Sequence, residues 1–394
     1  MSNNNEFKVR DEFLPFHRSW FGAEEENEVI DAMRSGWITT GPKTKKFEEE
    51  FAAYIGAKHC LAVNSCTSAL HLAYTVLGIT EGDEVITTPM TFAATSNVAV
   101  QLGAKPVFAD IVPETLNIDP AEIEKKITKK TKLIVPVHYI GQPCRMDEIM
   151  AIAKKNNAFV VEDAAHATES VYKNQKIGTI SDMTAFSFYA TKNIACGEGG
   201  ALTTNNDSYI EKARIWNLHG MSKDAWKRYS KTEFKHYEIM CPGYKYNMSD
   251  IQAAMLLHQL KKIDKFWELR KKYVARYNDC FKNTPEIKPI SIIDGVKTAY
   301  HLYPVILKTE MLNCTRDEFL GELQKLNIGV SVHFNALHLQ PYYREKYGYK
   351  RGDFPNAEYA SDRVMTLSLF PRMAESDVDY VVSAVKYLID KHKK

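Results

Sequence analysis

The chain has no strong excess of either charge, no long apolar run and no regular cysteine spacing. Its 51 Lys and Arg against 49 Asp and Glu leave a formal net charge of +2. That balance excludes broad electrostatic binding to nucleic acid or a membrane surface and leaves room only for a local basic patch. No run of about 18 apolar residues occurs, so no membrane span is predicted. Met1 to Arg10 is polar and lacks an apolar core, so no signal peptide is expected. The seven cysteines (60, 66, 144, 196, 241, 280 and 314) are odd in number, scattered and without a C-x-x-C. They read as reduced, buried thiols of a cytosolic protein rather than a disulfide framework. Internal repeats and low-complexity segments are absent. What remains is 394 residues, 45% hydrophobic and 25% charged, with mean hydropathy −0.34. This is the composition of a soluble globular protein of two or three domains.

Short apolar runs alternate with helical patterns through the first half. Strands are predicted at Cys60–Val63, Glu84–Thr88, Pro106–Asp110, Lys132–His138, from Phe159, and at Ala185–Tyr189. Helices are predicted at Glu24–Ser35, over Phe47 to Ile55, at Ala93–Leu102, Ala121–Ile127, Met146–Asn156 and Tyr209–Leu218. This rhythm predicts parallel crossover units and a sheet covered on both faces. Residues 1–19 read equally as an extended arm anchored by Leu14-Pro15-Phe16 or as a frayed terminus. Residues 219–247 are irregular and aromatic, a length that points to a functional or mobile loop. A long helix, 249–281, then bridges to a smaller α/β unit. Its predicted strands are Tyr300–Leu307, Gly329–Phe334 and Met365–Leu369, with a capping box at Thr315 and a closing helix at Asp377–Ile389. The predicted domains are an arm (1–19), a large domain (20–260) and a small C-terminal domain (261–394).

Two strand ends organise the chain. Phe159-Val160-Val161 runs into Glu162-Asp163-Ala164-Ala165-His166. Ala185-Phe186-Ser187-Phe188-Tyr189 runs into Thr191-Lys192-Asn193, and Gly197-Glu198-Gly199-Gly200 follows. In parallel sheets, ligand sites gather where strands end. The turn Ser65-Cys66-Thr67, between a strand and a helix, and Phe92 sit at equivalent places. A small-residue turn opening a helix aims free N–H groups at one point and suits a phosphate; it is also an ordinary helix cap. Pyridoxal phosphate needs a lysine for its Schiff base, an acid opposite the ring nitrogen, donors for the phosphate and an apolar cover for the ring. Lys192, Asp163, the 65–67 turn with Ser187, and Phe92 can supply them. Each residue alone also has an ordinary structural reading: a surface lysine, a helix cap, a tight turn.

Taken together, the segments resemble the sugar aminotransferases of the DegT/DnrJ/EryC1/StrS family. The segments are Ser35-Gly36-Trp37-Ile38-Thr39-Thr40-Gly41-Pro42, Gly82-Asp83-Glu84-Val85-Ile86, Glu162 to Ala167, Phe186 to Asn193, Gly197 to Gly200, and Gly243-Tyr244-Lys245-Tyr246-Asn247-Met248. They stand in the family's order and span almost the whole chain. The resemblance implies an α/β protein of pyridoxal-phosphate fold type I, like aspartate aminotransferase. It implies a large αβα domain with a mostly parallel sheet and a smaller C-terminal α/β domain. Lys192 is then the catalytic lysine and Asp163 the partner of the ring nitrogen. His166 lies near the cofactor hydroxyl, Cys66, Thr67 and Ser187 bind its phosphate, and Phe92 stacks on its ring. Asn247 reaches the cofactor phosphate of a neighbouring subunit, which implies a cytoplasmic homodimer with shared active sites and makes 219–247 an intersubunit loop. His333, Lys245 and Thr39 are implied substrate contacts.

The implied reaction moves an amino group from L-glutamate to the keto sugar of a nucleotide-sugar, in surface-polysaccharide or lipid A sugar biosynthesis. The run Lys192 to Gly200, with Gly22, His333-Phe334 and His338, is most similar to the branch acting at C4 of UDP-4-keto sugars. A C3-specific aminotransferase and a non-catalytic binding protein on the same fold are the alternatives. A related 3-dehydratase would carry histidine in place of Lys192. His333 and His338 lack a third ligand, so no metal is expected.

Overall fold

The computed structural model describes residues 7–222 and 236–394. Seven strands form the central sheet: β1 (His59–Val63), β2 (Glu84–Thr87), β3 (Lys105–Phe108), β4 (Thr131–Val135), β5 (Phe159–Asp163), β8 (Met183–Ser187) and β9 (Gly200–Thr204). A small separate sheet holds β6 (Val171–Tyr172) and β7 (Gln175–Lys176), with β11 (Val296–Lys297) pairing on β6. The order in the central sheet is β1-β9-β8-β5-β4-β2-β3. Only β9 runs against its neighbours; the others are parallel, as the alternating pattern predicts.

Period-two alternation sends successive strand residues to opposite faces. Cys60, Ile86, Ile134, Val160, Phe186 and Ala201 enter one core. It is covered by α2 (Pro42–Ile55), α6 (Met146–Lys155) and part of α8 (Asp250–Phe281). Leu61, Val85, Leu133, Val161, Ala185 and Leu202 enter the other, under α3 (Cys66–Val76), α4 (Ala94–Gln101) and α7 (Asp207–Asn217). The result is the expected αβα sandwich. Phe51 of α2 packs edge-on against Phe186 and Phe188 with centroids 5.2 and 5.3 Å apart. Burying each such ring contributes about 2–3 kcal/mol.

The 32 residues of α8 run from one core to another. Leu256, Leu257, Leu260 and Ile263 pack under the large sheet. Tyr273, Val274, Tyr277 and Phe281 pack on the C-terminal sheet. That sheet is antiparallel, with β12 (Tyr303–Leu307) between β10 (Ile287–Pro289) and β13 (Val364–Leu367). The start of α8 also fixes α2. Buried Asp250 accepts from the backbone N–H groups of Gly41, Lys43 and Thr44 and from the Thr44 hydroxyl, at 2.7 to 3.0 Å. A carboxylate at that helix start satisfies donors that no helical carbonyl can reach.

One predicted strand is absent. Residues 329–334 pair only at single points: Gly329 N–H bonds to Leu14 O at 2.7 Å, and Ser331 bridges Thr366. The alternation of Val330, Val332 and Phe334 resembles a strand, but the backbone neighbours change along the segment. At Gly329 the partner is the N-terminal arm. Leu14 is buried, and Phe16 stacks on His333 at 5.5 Å, so the arm is anchored over these residues.

Candidate active site

The sheet register brings the candidate residues to one edge. Val63 pairs with Gly200, Gly200 with Ser187, and Ala185 with Asp163. The 65–67 turn, the end of β8 and the end of β5 therefore lie side by side. Gly200 permits this approach: a Cβ there would stand 2.5 Å from the carbonyl carbon of Ser65 and 2.6 Å from the nitrogen of Cys66.

Beyond this edge is a cavity of about 590 Å³ lined by Cys66, Thr67, Asp163, His166, Ser187 and Lys192, with Phe92 and His333 joining them. Each of these was predicted from the sequence. Phe92 is otherwise exposed, at 68%. Thr39, Lys245 and Asn247 do not line the cavity. Thr39 offers its carbonyl to Asp250 N–H at 3.0 Å, and Lys245 its carbonyl to the Asn64 amide at 3.3 Å. Asn247 bridges Val63 and donates to the Thr40 hydroxyl, while its Oδ1 is buried without a partner. His338 also lies elsewhere, buried and 3.0 Å from Glu358. No group of His, Cys, Asp and Glu among the described residues is arranged to hold a metal. Of the intersubunit-loop expectation, residues 223–235 lie outside the described residues.

Electrostatics distinguish the cavity. Burial lowers the Lys192 ammonium from its usual value to about 8, against the opposing pull of Cys66 and Asp163. Burial raises the Asp163 carboxyl, opposed by Thr95, the Ala165 N–H and Lys192. The bonds are 2.8 Å from Thr95 Oγ1 to Oδ2 and 3.1 Å from Ala165 N–H to Oδ1. His166 is driven well below its usual value by burial, then by Lys192 and His333, and its Nδ1 is buried without a partner. His333 is lowered to about 3 by burial and by Lys192. Burial also pushes the Cys66 thiol far up, so it is a neutral donor here rather than a nucleophile.

The 65–67 turn divides its work. Ser65 Oγ caps α3 by accepting from Ser68 N–H at 3.1 Å. The N–H groups of Cys66 and Thr67, in the first helical turn, have no helical acceptor. A loop clamped by α8 carries Lys192: Gln259 accepts from Ala195 N–H at 3.0 Å and donates to its carbonyl at 2.7 Å. Free helix-start donors, an unpartnered imidazole nitrogen, a buried carboxylate and a partly neutral lysine fit a phosphorylated hydroxypyridine aldehyde.

Sequence reasoning missed Thr95, His17 and His301. Thr95 had a signal, since Thr91 and Thr95 are one helical turn apart just past β2, and their hydroxyls stand 2.8 Å apart. His17, in the arm, is lowered to about 4 by burial, Arg270 and Lys192. His301 packs its ring 4.5 Å from His166. Neither lies near the site in sequence.

Residues 20–386 match the DegT/DnrJ/EryC1/StrS aminotransferase family. The protein MJ1066 of Methanocaldococcus jannaschii is 53% identical over 98% of this chain and 100% of its own. The spore coat polysaccharide biosynthesis protein SpsC of Bacillus subtilis is 49% identical over 96% of this chain and 98% of its own. The putative sugar aminotransferase Spr1654 of Streptococcus pneumoniae, in its PLP-form, superposes with a TM-score of 0.89 at 33% identity, covering 96% of this chain and 99% of that one. This likeness bears out the fold-type-I expectation, and the chain belongs to the DegT/DnrJ/EryC1/StrS aminotransferase family.

Proposed function

We propose that this chain is a pyridoxal-phosphate-dependent sugar aminotransferase. It moves the amino group of L-glutamate to the keto sugar of a nucleotide-sugar, leaving 2-oxoglutarate, and the carbon aminated is C4 of a UDP-linked 4-keto sugar. The observation that carries the reading is the convergence of Lys192, Asp163 and the open N–H groups of the 65–67 turn on one cavity. The name of SpsC, a polysaccharide biosynthesis protein, supports the pathway class. No helix among the described residues is long and apolar enough to cross a membrane, and a cytoplasmic enzyme is proposed.

When bound, pyridoxal phosphate supplies an aldehyde for an amine and an electron-poor ring that acidifies the neighbouring carbon–hydrogen bond. The protein does the rest. Lys192 Nζ is the amine that would hold the cofactor's aldehyde group, and as a free amine it would accept and return a proton. Its value near 8 leaves an appreciable neutral fraction for that task. Asp163 would keep the ring nitrogen protonated by opposing it with negative charge. Cys66, Thr67 and Ser187 would hold the phosphate, Phe92 would cover the ring, and His166 would meet the hydroxyl. His333 would contact substrate from within the cavity, and Lys245 and Thr39 from the neighbouring subunit.

A homodimer with shared sites completes this reading. Asn247, with its buried unpartnered Oδ1 beside β1 rather than in its own cavity, is proposed to serve the phosphate of the neighbouring subunit. The arm (1–19), the large domain (20–260) and the small domain (261–394) are the proposed units. The test is a panel of UDP-, dTDP- and GDP-linked 3-keto and 4-keto sugars with glutamate, read by product mass and NMR. Amination at C4 of a UDP sugar is expected. Amination only at C3 overturns the position, and no amination of any keto sugar overturns the reading.

A further inference from the structure

A buried polar chain begins at Asn193, next to Lys192, and leads away from the proposed chemistry. Glu169 and Arg270 are both fully buried, at 0% and 1% exposure. Arg270 Nη2 donates to Glu169 Oε1. Asn193 Nδ2 donates to Glu169 Oε2 at 2.6 Å. Asn193 Oδ1 stands 2.8 Å from His301 Nδ1. The His301 ring then packs against His166, which lines the cavity.

The order of donors along this chain follows from chemistry. A carboxylate paired with arginine only accepts, so the Asn193 NH₂ must face Glu169. The reverse amide orientation would put two acceptors 2.6 Å apart. Asn193 Oδ1 is thereby turned to His301, and an amide oxygen cannot donate. His301 Nδ1 must carry the hydrogen. Burial, then His166, Lys192, His17 and His333, push His301 far below its usual value, so the ring is neutral and has only one N–H. Its Nε2 is left as an acceptor.

Two backbone bonds outside this polar chain fix the backbone around His301: Ala299 N–H to Gly141 O at 3.0 Å and His301 N–H to Ile140 O at 3.1 Å. Arg270 Nε and Asn193 Nδ2, members of the polar chain, add longer bonds to Ala299 O at 3.4 and 3.5 Å. These contacts place the ring without choosing its tautomer. The choice comes through Asn193 alone.

We propose that Glu169 is a positioning residue which, through Asn193, locks His301 in its Nδ1–H tautomer beside His166, and at the same time pins the residue that follows Lys192. The inference rests on contacts within the chain and stands whether or not the sugar reading holds.

The test is tautomer-resolved two-bond ¹⁵N–¹H NMR of the cofactor-loaded protein labelled at histidine, with His301→Gln used to assign the His301 signals. Wild type should give the pattern of a neutral Nδ1–H ring. Glu169→Gln replaces the carboxylate with a group that both donates and accepts, so Asn193 is free to turn. This variant leaves Arg270 buried and unpaired. Glu169→Gln with Arg270→Met removes both charges and tests the same link if the single variant does not fold. Loss of the pure Nδ1–H pattern, to a mixture or to Nε2–H, is expected. A wild-type His301 that is Nε2–H or charged overturns the proposal, as does an unchanged Nδ1–H pattern in the folded variants.

Discussion

Thr95 and Asp163, 68 residues apart in the chain, are joined by a 2.8 Å hydrogen bond from Oγ1 to Oδ2. Thr95 stands in the first turn of α4, and Asp163 ends β5. The bond opposes the burial that raises the Asp163 carboxyl, and so helps hold the carboxylate charged. A hydrogen bond to a charged group is worth about 1.5–3 kcal/mol. Thr95→Val should therefore weaken cofactor binding by about tenfold or more, read by titrating apoprotein with pyridoxal phosphate. An unchanged Kd would show that Thr95 is dispensable to the carboxylate.

The pH dependence of cofactor capture follows from Lys192. The neutral amine reacts with an aldehyde, and burial brings the ammonium from 10.5 to about 8. As pH rises through that value the neutral fraction grows, so the capture rate should climb and level off above it. Asp163 favours the ammonium, so Asp163→Asn should move the midpoint to lower pH. Stopped-flow absorbance from about pH 6 to about pH 10 checks both. A wild-type midpoint near the ordinary lysine value would contradict the burial argument.

His338 belongs to the scaffold rather than to the cavity. Its Nε2 lies 3.0 Å from Glu358, whose carboxylate also accepts from the N–H groups of Gly352 and Phe354. His338→Phe should lower stability by about 1–3 kcal/mol by leaving a buried acceptor short of a partner. Thermal melting reads that loss, and KM for the sugar should stay unchanged. A rise in KM with an unchanged Tm would show instead that His338 acts on the substrate.

Gly200→Ala tests the approach of β9 to the 65–67 turn. The added Cβ, 2.5 Å from the Ser65 backbone, must push the turn aside. Such overpacking costs about 1–3 kcal/mol, and cofactor affinity should fall by about tenfold or more. Equilibrium dialysis measures it; wild-type affinity would show that the turn does not hold the phosphate.

Much of this was legible in the sequence because the parallel strands are short apolar runs closed by turn residues. Asp163 and Lys192 stood out for the same reason: each follows such a run. β9 was missed because Gly200 to Thr204 offers only Ala201 and Leu202 as apolar residues after a glycine cluster. Residues 329–334 misled in the opposite way, alternating without a continuous partner. Thr95 reaches Asp163 from a crossover helix, and His301 meets Asn193 across 108 residues. Thr39, Lys245 and Asn247 fall outside the cavity of their own chain, and their proposed roles require a second copy of the chain.

In the proposed reaction Lys192 binds the cofactor and yields it to glutamate. Borohydride reduction followed by peptide mass spectrometry tests this directly. A phosphopyridoxyl adduct is expected on the peptide containing Lys192, and it should be lost when L-glutamate is added before reduction. No adduct, an adduct on another lysine, or an adduct that glutamate leaves untouched would contradict it.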